Sequence, residues 1–143
     1  QFGMRGRIGD VVREKSGLPY YAYSNLSAGV GPGACTVSAG VNPSNVKKTI
    51  DLVKSELERF VAKGVTKSEL ADSQANFIGR LPLSLESNGG VTNALLNIER
   101  YELGLDYYRQ YADMIRRVTP RDVLQATRKY IDPERLGISV AGP

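Results

Sequence analysis

Few residues in this 143-residue chain can do chemistry, and their types narrow what that chemistry is. Histidine is absent and Cys35 is the single cysteine. No imidazole or soft-ligand set for zinc, iron or copper can therefore be assembled from the chain. A serine–histidine or cysteine–histidine nucleophile pair is excluded on the same ground. So is an internal disulfide framework, and a lone cysteine is compatible with a reducing compartment, the cytoplasm being the first expectation. What remains is carboxylates, arginines, tyrosines and a glycine-rich loop.

Each of these has a plain reading. Asp10 and Glu14 stand four apart, a spacing at which helical carboxylates adjoin. With Arg13 and Lys15 beside them they read as a solvated helix face rather than an acid–base pair. Glu99, Glu102 and Asp106 read the same way. The loop Gly29-Val-Gly-Pro-Gly33 leads into a strand, whereas a phosphate cradle needs glycines that open a helix, so it reads as a hairpin turn. Most of the eight tyrosines, among them Tyr20, Tyr21, Tyr23, Tyr101, Tyr107, Tyr108 and Tyr111, suit half-buried packing with the hydroxyl in water.

The elements that must hold these residues are legible from periodicity. Met4 to Ser16 reads as a short helix with Met4, Ile8, Val11 and Val12 on its apolar face. Tyr20 to Leu26 and Ala34 to Val41 read as strands of a hairpin, the second alternating through Cys35, Val37, Ala39 and Val41. Asn42 and Pro43 open a helix carrying Val46, Ile50, Val53, Leu57, Phe60 and Val61, which Gly64 closes. Thr66 and Glu69 form a capping box for a helix to about Gly79, with a break expected near Arg80 to Leu85 at Pro82. Further helices are expected from about Glu86 or Gly90 to Leu103, from Asp106 as cap through Arg117, and from Thr119-Pro120 to Asp132-Pro133. A final strand is expected over Leu136 to Ala141.

Helix, hairpin, a run of helices and one strand make an α+β fold, two-layered, with helices on one face of a mainly antiparallel sheet. The thin sheet leads us to expect one domain over residues 1–143 that lacks its first strands, one or two partner strands lying upstream. No apolar run approaches the ~20 residues of a membrane span. A net charge of +4 is spread over interleaved acidic and basic residues, with no basic stripe for nucleic acid.

The segment Arg13-Glu-Lys-Ser-Gly-Leu18, followed by a strand beginning at Tyr20, resembles the C-terminal, non-zinc domains of the pitrilysin/insulinase peptidases, which include mitochondrial processing peptidase. Further matches follow in order: Gly64-Val-Thr-Lys-Ser-Glu-Leu70, Pro82-Leu-Ser-Leu-Glu86, Gly104-Leu-Asp-Tyr107, Val118-Thr-Pro-Arg-Asp-Val123, Lys129-Tyr-Ile-Asp-Pro-Glu134 and Val140-Ala-Gly-Pro143. The resemblance implies paired α+β domains closing around a peptide or unfolded protein, in one chain or as a dimer. A partner domain or subunit would bind zinc through an H-x-x-E-H motif, and this chain would hold none. It further implies catalytic roles for Arg13 and Tyr20, which keep the family spacing of seven. Arg13 would hold a substrate carbonyl and Tyr20 would donate to the oxyanion. Pro19, where the family favours small residues, bears on how Tyr20 is aimed. A catalytically inactive structural or peptide-binding subunit of the same fold is the alternative.

Overall fold

The computed structural model of the protein describes residues 6–9, 19–27, 29–31 and 33–142. In chain order these form α1 (Arg7–Gly9), β1 (Pro19–Leu26), β2 (Cys35–Val41), a 3-10 turn (Pro43–Asn45), α2 (Val46–Lys63), α3 (Lys67–Ser84), α4 (Asn88–Arg100), α5 (Tyr107–Arg117) and α6 (Pro120–Tyr130). The class is α+β, as expected. Two compact units are present, one of Gln1–Gly64 with Leu124–Pro143 and one of Val65–Val123.

The first unit is built on the hairpin. β1 and β2 pair antiparallel, with Ala22 opposite Ala39 and Ser24 opposite Val37. Ala22 is fully buried, and Ile8 of α1 packs on it together with Val37, Ala39, Leu52 and Val53. The alternation read in β2 thus selects the face that meets the helices, while Cys35 at its start is exposed. Asn42 opens the next element as expected, its Oδ1 accepting from the Ser44 N–H at 3.1 Å. Gly64 ends α2 at φ 67°, its N–H donating to the Phe60 carbonyl at 2.8 Å. A left-handed residue after the last turn is where glycine costs least. From α6, Arg128 Nε and Nη2 donate to the Val61 and Ala62 carbonyls at 3.2 and 3.1 Å.

The second unit is helical. Thr66 and Glu69 make the expected reciprocal cap: the Thr66 N–H donates to Glu69 Oε2 at 2.7 Å and the Glu69 N–H to Thr66 Oγ1 at 3.2 Å. Gln74 on α3 donates through Nε2 to the carbonyls of Ile115 and Val118 at 2.9 and 3.0 Å. It thereby adds a donor at the end of α5, where the Ile115 carbonyl also accepts from the Val118 N–H at 3.3 Å. Tyr107 meets Tyr108 and Tyr111 edge to face, at 5.2 and 6.0 Å between ring centroids.

Three expectations are corrected. Helix α3 does not stop before Pro82 but runs through it to Ser84. The proline lies in the last turn, so the helix has only two residues left to run, and the Leu85 N–H reaches the Pro82 carbonyl at 3.0 Å. Asp106 does not cap α5 with its side chain. Its backbone is already helical, and the carboxylate accepts from Arg109 Nη1 at 3.2 Å instead. The stretch 136–140 forms no strand. A strand exists only through a hydrogen-bonded neighbour, and among the described residues β1 and β2 pair with each other alone.

Candidate functional site

Of the two residues singled out for catalysis, Arg13 lies outside the described residues, as do Asp10 and Glu14. Tyr20 lies in β1, and its placement is unusual. Pro19 pairs with Val41 and Tyr21 with Gly40, so β1 advances two residues where β2 advances one. Tyr20 is the extra residue, a β-bulge with no partner across the ladder. Bulges bend a strand and re-aim a side chain, and they are over-represented beside active sites. The Tyr20 side chain is 80% exposed. Its phenol is a hydrogen-bond donor open to solvent.

Its neighbours are engaged. Tyr21 and Tyr23 stack with ring centroids 5.9 Å apart. The Tyr21 ring also lies against β2, where a β carbon on Gly40 would overlap it. Glycine at position 40 therefore lets Tyr21 lie flat across the hairpin. Pro19, expected to bear on the aim of Tyr20, stands at the edge of this register shift. Proline inside a sheet is confined to edges, strand starts and bulges.

The glycine-rich loop closes the hairpin as expected. The Ser27 N–H donates to the Ala34 carbonyl at 3.0 Å, and the Ala34 N–H to Ser27 Oγ at 3.3 Å. Glu99, Glu102 and Asp106 are exposed. Among the described residues no cluster of three or more His, Cys, Asp and Glu side chains could hold a metal ion. No helix among them is long and apolar enough to cross a membrane.

Sequence reasoning missed Glu56. A carboxylate argues for solvent, yet this side chain lies on the apolar face of α2 and is only 5% exposed. Arg59 Nη2 meets its Oε2 at 2.7 Å, and Arg7 Nη1 of α1 stands 3.7 Å from its Oε1.

Comparison with known proteins agrees with this architecture. Residues 1–77, which hold both Arg13 and Tyr20, match the family described as the peptidase M16 inactive domain. An uncharacterized zinc protease of Streptomyces coelicolor is 33% identical over 99% of this chain, which covers 30% of that relative. An uncharacterized zinc protease of Mycobacterium tuberculosis is 27% identical over 99% of this chain and 32% of its own length. The chain thus spans about three-tenths of these relatives. The crystal structure of a peptidase M16 inactive domain from Pseudomonas fluorescens superposes with a TM-score of 0.81 at 25% identity, over 92% of this chain and 31% of that one. From the hairpin and its helices to the match over more than half its length, the chain belongs to the peptidase M16 family, as a C-terminal inactive domain of zinc-protease type.

Proposed function

We propose that this chain is the metal-free partner domain of a zinc peptidase, in which Arg13 holds a carbonyl of the peptide substrate and Tyr20 stabilises the oxyanion. Its own donor set, without histidine and with one cysteine, does not fit a zinc site, so the metal is assigned to another domain or subunit. Attack of water on a peptide carbonyl moves a bond pair onto the oxygen. A donor already aimed at that oxygen lowers the barrier, because no reorganisation is needed as the charge develops. The Tyr20 O–H is a donor of this kind. A guanidinium presents several N–H groups in a rigid fork and suits a carbonyl that must be held before the reaction begins.

The observation that carries the reading is the bulge: Tyr20 is surplus to the ladder and 80% exposed. The test is steady-state kinetics on the full-length protein with an unfolded-peptide substrate. Tyr20→Phe should lower kcat by about 10²–10³ with little change in KM, the usual effect of losing one oxyanion donor. Arg13→Ala should raise KM. Tyr21→Phe, which changes a hydroxyl on a ring engaged with Gly40 and Tyr23, should leave the rate unchanged. Tyr20→Phe turning over at the parental rate overturns the proposal. A full-length protein without hydrolytic activity would instead support an inactive structural subunit of the same fold.

A further inference from the structure

A buried carboxylate that no catalytic role accounts for calls for a reason. Glu56 is 5% exposed, and its Oε1 receives no hydrogen bond. Arg59, one turn further along α2, binds the other oxygen at 2.7 Å. Facing Oε1 at 3.7 Å is Arg7, on the single turn of α1. Its guanidinium also sits over the Phe60 ring, 5.3 Å from the centroid. Glu56 and Phe60 are four residues apart and share one face of α2. Together they set a carboxylate and an aromatic ring against one guanidinium, an ion pair on one side and a cation–π contact on the other.

The residue after Arg7 is Ile8, which is buried against Ala22 of β1. Ala22 is two positions past the bulged Tyr20. A continuous line of contacts therefore runs from Glu56 to Arg7, along one peptide unit to Ile8, across to Ala22, and along β1 to Tyr20. Tyr20 has no ladder partner of its own, so the pairing that fixes the rest of β1 does not fix it directly. The aim of its side chain depends on how firmly the strand beside it is seated. Ile8 packs on that strand beside Val37, Ala39, Leu52 and Val53, and the residue before it, Arg7, is held against Glu56 and Phe60.

We propose that Glu56 is a positioning residue for Tyr20, acting through Arg7, Ile8 and Ala22. The inference rests on the reading of Tyr20 given above. It differs from a general contribution to folding in one respect: its effect on rate must pass through the Tyr20 hydroxyl. A misplacement of about 1 Å at a reacting group can cost on the order of 10² in rate, so partial loosening should cost roughly tenfold.

The experiment is a double-mutant cycle in the full-length protein. Glu56→Gln should lower kcat roughly tenfold, and should lower it no further when Tyr20 is already Phe. Hydrogen exchange should show the amides of Tyr21–Leu26 exchanging faster in Glu56→Gln than in the parent. If Glu56→Gln does not fold, Arg7→Gln, which alters a partly exposed side chain, runs the same cycle. Effects that multiply in full in the double variant overturn the positioning role and leave Tyr20 as read. Unchanged kcat and unchanged exchange in β1 do the same. Tyr20→Phe at the parental rate overturns the reading beneath, and the positioning role falls with it.

Discussion

The carbonyl of Ser84, the last residue of α3, occupies the space that a β carbon on Gly90 would take. The two helices can turn this sharply at 84–90 only because residue 90 has no side chain. Gly90→Ala should therefore destabilise the second unit by about 1–3 kcal/mol, the usual cost of forced overpacking. Gly79, inside α3, has open space around its missing side chain. Gly79→Ala should add about 0.5–1 kcal/mol through helix propensity. Urea unfolding of both variants checks the pair, and a Gly90→Ala midpoint equal to the parent's would count against the close approach.

Asp122 predicts how the start of α6 responds to acid. Hydrogen bonds from the Thr119 side chain and backbone, with help from Arg121, hold its carboxyl below the ordinary value of 3.8. The unfolded chain therefore takes up this proton first as pH falls. The stabilisation is fully present above the unfolded value and is lost as pH drops through the lower, folded one. Thr119→Ala, which removes the largest cause, should flatten the acid side of the stability curve below about pH 4. Thermal midpoints at a series of pH values measure it, and an unchanged slope would disprove the link.

Arg128 closes the end of α2 by donating to two carbonyls at once. Arg128→Ala should cost about 1 kcal/mol, the net value of a typical intramolecular hydrogen bond given that this side chain is exposed. Arg128→Lys should recover little of it, because an ammonium cannot reproduce the fork. Full rescue by lysine in denaturant titrations would show that charge alone is at work.

Tyr20 should be replaceable without harm to the fold. It has no cross-strand partner and is 80% exposed, so Tyr20→Ala should shift stability by no more than about 0.5 kcal/mol. A larger loss in a thermal melt would mean that the ring packs, and that lost activity in its variants reflects lost structure.

Much of this was legible in the sequence because local signals were strong. Asn42-Pro43, Gly64 and the Thr66–Glu69 box each satisfy backbone groups within a few residues, so their pattern needs no knowledge of the rest of the fold. Pro82 misled because the cost of proline depends on its place in a helix. Pro82 removes one bond of the ladder but leaves those of its neighbours, and the helix runs two residues past it before ending at Ser84. The expected strand after Leu136 failed for a non-local reason, since alternation describes a face but not the neighbour that a strand requires. Glu56 hid for a different one. Its helical position lies within the apolar stripe between Val53 and Phe60, but a carboxylate argues for solvent unless a cation from another element is known to meet it. The bulge at Tyr20 depends on the register of two strands, of which only Pro19 gives a hint.

The grip of Arg128 on Val61 and Ala62 joins positions more than sixty residues apart. The chain between them, Val65–Val123, forms a compact unit of its own. On a ribosome adding about 5–20 residues per second, the last carbonyls of α2 would emerge roughly 3–13 s before the residue that satisfies them. The hairpin unit is thus opened early and sealed late, with the helical unit free to fold in the interval. A chain interrupted between Val65 and Arg128 would leave the last carbonyls of α2 to be met by water instead.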